Sequence, residues 1–551
     1  MNEQRNNGSK GSPLHILMVS REYDGLAGAG GVKDVCRQLA ESLVRDGDCR
    51  VSVVLPRYGF MDVRDLGFSF LSLNPVSGAG SPVLPGDNFE VDMNYIEAER
   101  RESVAVLHRK IKGVDVYLLE SERFGRKLGV YTYTAEEEAR DPWQQRGTGH
   151  YDYFAMNILL QKAALALMIL LDERPDVIHC HDGHAATLAP MMRELEGHRH
   201  YFNNSGAVVT IHNAGRGYHQ EVADIAFARA ITGLPRRVVD RALLDNSFDP
   251  FVAAADYAEI NTVSEQYARE LRETDEDART GWLGHRLASR GVRLVGITNG
   301  IVPDDYDPVR ADQLGLAAPF SPQSGDLDGK EVCKQKILEL VASPGAIPTV
   351  TTHGGLVSDP RLPLLTFIGR MSPQKGVDVL IGAIRRLLAE TVAFQLLVLG
   401  SGDHELEREM IALTRLGEAG GNLCFFQGYD PRLALKVYAA GDFFLIPSQY
   451  EPCGLTDYIA QLMGNLPIVH HVGGLVKVID GETGFAYHRH RPDDLARTVG
   501  RALSLYEKKP ARLREMQRAA VLRIYQHHTW KQVMKSYLKL YRLALEKRRR
   551  H

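Results

Sequence analysis

The richest chemistry in this sequence lies at Glu451-Pro452-Cys453-Gly454-Leu455-Thr456, which follows the apolar run Phe443 to Ile446 and the strand-ending Pro447-Ser448. A carboxylate just ahead of a helix could cap it. Alternatively, the carboxylate binds sugar hydroxyls while exposed amides near Thr456 hold a phosphate. Arg370 and Lys375 flank a second strand end, after Phe367-Ile368-Gly369. Two cations beside a helix start suit a pyrophosphate, Arg as a fork and Lys as a point charge. Tyr429, in Gly428-Tyr429-Asp430, is placed to stack on a nucleobase. Gly473-Gly474 forms a glycine turn after a further strand, where backbone could approach a ligand closely.

The first half of the chain has its own set. Gly28-Ala29-Gly30-Gly31 follows the first strand and opens a helix, so its amides could face a phosphate or a sugar. A dinucleotide fingerprint would need glycine where Lys33 stands, and no acidic residue follows the second strand at Pro56-Arg57. A nicotinamide enzyme is therefore disfavoured. His179-Cys180-His181-Asp182-Gly183-His184 has the residue types of a metal centre, but strand alternation sends neighbours to opposite faces. A polar site at a strand end is expected, with no metal. Thr210-Ile211-His212-Asn213 repeats the theme at another strand end.

Buried parallel strands must position these groups. His15–Ser20, a helix over 32–45 and Val51–Leu55 form a βαβ unit, which predicts a doubly wound sheet. Further strands fit at 114–119, 177–179, 208–211, 259–263 and 294–297, with a long helix at about 151–172. A second α/β series runs through 364–369, 394–399, 423–427, 443–446 and 467–469, with helices over 376–390 and 430–440 between. The expected division is a disordered tail over 1–13, a first domain over 14–342, a linker over 343–361 rich in Pro, Gly, Ser and Thr, a second domain over 362–525, and a C-terminal helix over 526–551. A ligand belongs in the cleft between the domains, at the carboxyl ends of their strands.

Composition narrows the function classes. A chain of 551 residues exceeds one hydrophobic core. With 66 basic and 69 acidic residues and a net charge of -3, nothing draws the chain towards nucleic acid or membrane. The basic ending Lys547-Arg548-Arg549-Arg550 reads as a solvated tail. Six scattered cysteines without a CxxC pair read as reduced core thiols. The polar N-terminus carries no visible signal peptide, the longest apolar run (Ala163 to Leu171) is about half a membrane span, and a cytoplasmic location is expected.

Taken in order, these segments resemble the starch and glycogen synthase family of retaining glycosyltransferases. Besides the stretches above, the likeness rests on Asp34-Val35, Thr262-Val263-Ser264, Gly296 through Ile301, and Gln374-Lys375-Gly376, and it spans nearly the whole chain. It implies a GT-B fold: two Rossmann-like doubly wound α/β domains facing across a cleft, with a C-terminal helix returning to the first. It implies transfer of glucose from a nucleoside-diphosphate glucose, ADP-glucose or UDP-glucose with the former favoured, to the non-reducing end of an α-1,4-glucan. No cofactor is implied beyond the donor.

By motif match, Glu451, His212 and Asp182 are the expected catalytic residues. Gly30, Gly31, Arg370, Lys375, Tyr429, Cys453, Gly454, Leu455, Thr456, Gly473 and Gly474 are expected around the donor. Departures are Gly28 where the family has Lys, His470-His471 where two basic residues are common, and Asp457 where Gln is usual. They leave open a related transferase making a small glycoside from another donor or acceptor; a non-catalytic glucan or nucleotide-sugar binding protein is the second alternative.

Overall fold

The computed structural model describes residues 13–73, 87–343, 347–390, 393–416 and 421–548. The expected N-terminal tail therefore falls outside the described residues, Pro13 excepted, as do Arg549 and Arg550 of the basic ending. The chain divides into two compact units. One holds residues up to Val263, Ala268–Ile297 and Val533 onwards; the other holds Ser264–Tyr267 and Thr298–Gln532.

The first unit is built on a ten-stranded sheet. Seven strands run parallel, in the order Val295–Gly296, Glu259–Thr262, Gly206–Ile211, Val177–His181, Leu14–Val19, Cys49–Pro56 and Val114–Glu120. Antiparallel Arg101–Ile111 then extends the edge, pairing with Ser69–Phe70 and Phe89–Asp92. Ile16, Leu17, Met18 and Val19 are all fully buried. That follows from helices on both faces, and it explains why the strand reads as a continuous apolar run instead of an alternating one. Helix Tyr153–Leu170 is apolar all round and long enough to cross a membrane, yet 72% of it is buried. It is a core helix.

Strand order reverses between Leu14–Val19 and Val177–His181, so the loops leaving these two strands open a crevice at their carboxyl ends. The glycine loop and Asp182 stand there.

The second unit has a seven-stranded sheet in the order Val350–Gly354, Leu423–Gly428, Gln395–Gly400, Leu364–Ile368, Phe443–Ile446, Leu466–His470 and Phe485–Tyr487. All pairings are parallel except the first. Alternation along the strands feeds two cores. Leu365, Phe367, Leu396 and Val398 pack on one face; Leu364, Ile368, Leu397 and Leu399 pack on the other. Order reverses between Leu364–Ile368 and Phe443–Ile446, the strands that deliver Arg370 and Glu451.

Two expected boundaries were wrong. The first unit ends at Ile297, not 342, because helix Asp328–Val341 packs with the second unit. Its buried face carries Cys333, Ile337 and Val341 into the core that also holds Leu433 and Val437. Lys330 Nζ donates to the carbonyls of Ala439, Gly441 and Met463 at 2.8, 2.6 and 3.0 Å. The supposed linker over 343–361 contains the edge strand Val350–Gly354. Its Pro/Gly-rich flanks hid the β-branched run Thr349-Val350-Thr351-Thr352, which suits a strand.

At the other end, helix Trp530–Lys547 begins after a π turn at Ile524–His528 and returns to the first unit. Its Tyr541 hydroxyl lies 3.0 Å from His179 Nδ1, and Lys547 Nζ donates to Ala258 O at 2.7 Å.

Candidate functional site

In the second unit the hexapeptide sits at the strand reversal. Glu451 accepts from Lys375 Nζ at 2.6 Å and from Ser448 Oγ at 3.0 Å, all on one carboxylate oxygen. The two side chains, 76 residues apart, meet because their strands are neighbours and both loops leave by the same end. Gln449 N–H also donates to Gln374 O at 2.8 Å, tying the loops through the backbone. Burial alone would raise the Glu451 carboxyl, but Lys375, Ser448 and Lys477 together hold it below the ordinary range. Its side chain is 12% exposed and that of Lys375 is 24% exposed. The pair is largely shielded from water, with Lys375 the more exposed partner.

Arg370 is exposed at the mouth of the same loop, with Nη2 3.4 Å from Gln374 Oε1. Tyr429 directly follows strand Leu423–Gly428 and is 61% exposed. Next to it, Asp430 caps helix Pro431–Ala440 by accepting from Leu433 N–H at 2.8 Å. Such a cap contributes about 1 kcal/mol. Cys453 and Gly454 are buried, whereas Leu455 and Thr456 are half-buried at the start of helix Thr456–Leu462.

The Gly473-Gly474 turn has a different close approach from the one expected. A Cβ on Gly473 would collide with Glu451 O, and one on Gly474 with Cys453 O. These glycines let the turn lie against the hexapeptide backbone, with Gly474 N–H donating to Glu451 O at 2.9 Å. From the same turn Lys477 Nζ donates to Cys453 O and Gly454 O, both at 2.6 Å. It also lies 3.1 Å from Asp457, whose carboxyl burial pushes up to about 6 against the pull of Lys477.

His470 is buried with Nδ1 2.8 Å from Ser448 O, so it donates there and steadies the residue that itself holds Glu451. His471 is half-buried, its pKa lowered by burial and by His488.

The first-unit cluster is organised around neutral imidazoles. His179 and His181 share one strand face and stack at 4.4 Å, and His181 stacks on His212 at 5.2 Å. His181 Nδ1 lies 2.9 Å from His212 Nε2. Burial drives His179, His184 and His212 well below the ordinary range and His181 down to about 3. Neutral rings must therefore choose tautomers. Thr210 Oγ1 donates to Asn261 Oδ1 at 2.7 Å, so His179 donates from Nε2 to Thr210 and accepts from Tyr541 at Nδ1. Among the described residues no set of three His, Cys, Asp or Glu side chains is arranged to hold a metal.

Asp182 stands in a sparsely populated backbone conformation, φ 59° and ψ -178°. Such strain costs about 1–3 kcal/mol and persists where surroundings over-determine it. Here its N–H donates to Thr210 O at 2.9 Å, and its carboxylate accepts from His212 N–H at 2.6 Å. Asp182 thus locks the backbone of His212 to the adjacent strand end. Burial raises its carboxyl to about 8, against the pull of the His212 and Asn213 amides.

The glycine loop is held from beneath. Glu22 accepts from the N–H groups of Ala29 and Gly30 at 2.8 and 3.1 Å, and Tyr131 donates to its other oxygen at 2.6 Å. Gly30 and Gly31 are exposed. The space beside Gly28 is filled by the Lys33 side chain. The stem of Lys33 folds back over it, where any Cβ at position 28 would collide. Its ammonium is held by Asp24 at 2.9 Å and Asp34 at 3.0 Å.

Sequence reasoning therefore found the loops, with Ser448 read only as a strand end, but missed the supports Glu22, Tyr131 and Lys477. Of these, Glu22 alone left a signal, being an acid directly after the first strand and before the glycines.

Comparison with known proteins follows the same division. Residues 15–285 match the family model for the starch synthase catalytic domain, and residues 362–504 match that for glycosyl transferases group 1. A glycogen synthase of Streptococcus pneumoniae serotype 2 is 28% identical over 544 residues, covering 96% of this chain and 99% of its own. The catalytic domain of starch synthase IV from Arabidopsis thaliana, solved bound to ADP and acarbose, is 25% identical with a TM-score of 0.77, covering 97% of this chain and 100% of that one. Sucrose-phosphate synthase from Thermosynechococcus elongatus, 17% identical with a TM-score of 0.54 over 96% of this chain and 98% of its own, shares the fold alone. With two doubly wound α/β units, and with relatives aligned almost from end to end, the chain belongs to the glycogen and starch synthase family of GT-B glycosyltransferases.

Proposed function

We propose that this enzyme transfers glucose, with retention, from a nucleoside-diphosphate glucose to the non-reducing end of an α-1,4-glucan, and that ADP-glucose is its preferred donor. The observation that carries the proposal is the Lys375–Glu451 pair at the strand reversal, with Arg370 exposed beside it. A carboxylate kept ionised can hold sugar hydroxyls, while the adjacent cations take the diphosphate as it departs. Tyr429 stacks on the base. Cys453, Gly454, Leu455, Thr456, Gly473 and Gly474 are assigned to the sugar and phosphate from the second unit, and Gly30 and Gly31 to the donor from the first.

Asp182 and His212 are assigned to the donor sugar from the first unit. Neutral, hydrogen-bonding groups there would stabilise a developing oxocarbenium ion by orientation, without competing for the diphosphate. The reading requires no cofactor. The starch synthase IV relative with ADP and acarbose bound supports a nucleotide and a glucan-like acceptor. A cytoplasmic site of action goes with six free, buried cysteines.

The test supplies ADP-glucose or UDP-glucose with glycogen, and with maltose or simple alcohols as small acceptors. Nucleotide release is followed, together with linkage analysis of the product. New α-1,4 linkages on glycogen, faster with ADP-glucose, are expected. Transfer confined to small acceptors, or no transfer from either donor, would refute the proposal.

A further inference from the structure

Lys477 lies just outside the set of residues assigned above, yet the hexapeptide backbone converges on it. Its side chain is 6% exposed and that of Asp457 is fully buried. If its purpose were only to neutralise Asp457, the ammonium would sit squarely on the carboxylate. Instead its two shortest contacts, 2.6 Å each, are to the carbonyls of Cys453 and Gly454. The Asp457 carboxylate, 3.1 Å away, is the most distant of the three partners and completes an ion pair with the same ammonium. The Tyr458 ring closes the remaining side, 4.3 Å from Nζ to its centroid.

A planar trans peptide points its N–H opposite to its C=O. Pinning the carbonyls of Cys453 and Gly454 therefore aims the N–H groups of Gly454 and Leu455 away from Lys477. Charge-assisted bonds are about twice as strong as neutral ones, so a buried ammonium on two adjacent carbonyls makes a stiff fixture. We propose that Lys477 is a positioning residue that sets the Cys453–Leu455 backbone for the sugar–diphosphate end of the donor. The inference rests on the donor reading of the hexapeptide given above.

Three variants test it, each assayed well below its melting temperature. Asp457→Asn removes the buried charge but leaves Lys477 on its carbonyls; donor KM is expected within about twofold of the wild type. Asp457→Asn/Lys477→Met removes the carbonyl donor without stranding a buried charge. It is expected to keep the melting temperature of the single variant while donor KM rises about tenfold and glycogen KM stays unchanged. Lys477→Arg keeps the charge should the double variant fail to fold. Its wider head cannot meet both carbonyls in the same way, so donor KM is expected to rise at an unchanged melting temperature.

A folded double variant, or a folded Lys477→Arg, with the donor KM of its parent overturns the proposal. Calorimetry with ADP separates this from the earlier reading. A wild type that binds ADP but extends no glucan defeats the earlier reading alone, whereas double and single variants binding ADP equally defeat this one.

Discussion

The two units present their functional residues at equivalent places, the reversal of strand order in a doubly wound sheet, but with opposite electrostatics. In the second unit the groups are charged: Glu451 is paired with Lys375, and Arg370 is exposed beside them. In the first unit the histidine cluster and Asp182 are buried and largely neutral. Four histidines are pushed to the uncharged form, and a carboxyl, Asp182, is lifted to about 8. A shared doubly wound plan therefore does not dictate shared chemistry; what fills the crevice does. A leaving diphosphate needs fixed cations. A sugar whose cationic character is transient is better served by neutral dipoles, which a net positive field would oppose.

The contrast can be broken most severely at Glu451. Glu451→Gln keeps the shape but strands Lys375 without its counter-charge, and kcat should fall about 10²–10³-fold in a nucleotide-release assay. A loss in donor KM alone would place the carboxylate in simple binding. His212→Ala removes the middle-sized contribution from the neutral side. A fall of about 10- to 100-fold in kcat, with ADP affinity unchanged by calorimetry, is expected. Weakened ADP binding would mean that the first unit also serves the diphosphate, and the contrast would collapse.

The smallest effect sharpens the comparison through pH. A carboxyl whose folded pKa is raised favours the protonated state in the fold. The contribution of Asp182 to stability is therefore present below the unfolded value, about 4, and is lost as pH rises towards 8. Asp182→Asn lacks that dependence, while the neighbouring histidines remain in both proteins. Melting temperatures of variant and wild type, taken from pH 4 to 8, should thus diverge in the variant's favour as pH increases. A constant gap would show that Asp182 ionises as easily folded as unfolded.

Much of this was legible in the residues. Continuous apolar runs such as Ile16 to Val19 mark buried parallel strands, and the loops that follow them hold Gly30, Asp182, Arg370 and Glu451, because doubly wound sheets put ligands there. What stayed hidden was pairing at a distance. Nothing in the local pattern couples Lys375 to Glu451, or Lys477 to the carbonyls of Cys453 and Gly454, since those meetings depend on which strands become neighbours.

The departures at Gly28 and His470 looked like losses when each was read alone. In three dimensions Lys33 covers the first, and His470 has become a support for Ser448. The misplaced boundary at 342 has a similar origin. Helix Asp328–Val341 carries no mark of the unit it belongs to until its buried Lys330 finds the carbonyls of Ala439 and Gly441.

The return of the last helix sets an order of events during synthesis. The first unit has all its strands once Gly296 is made, yet His179 meets Tyr541 only at the far end of the chain. At about 5–20 residues per second, the ribosome spends roughly ten to fifty seconds on the second unit before that partner emerges. The unit made first is thus completed last. Shortening the chain from its C-terminus should strand the nascent N-terminal half for chaperones, while leaving the second unit able to fold.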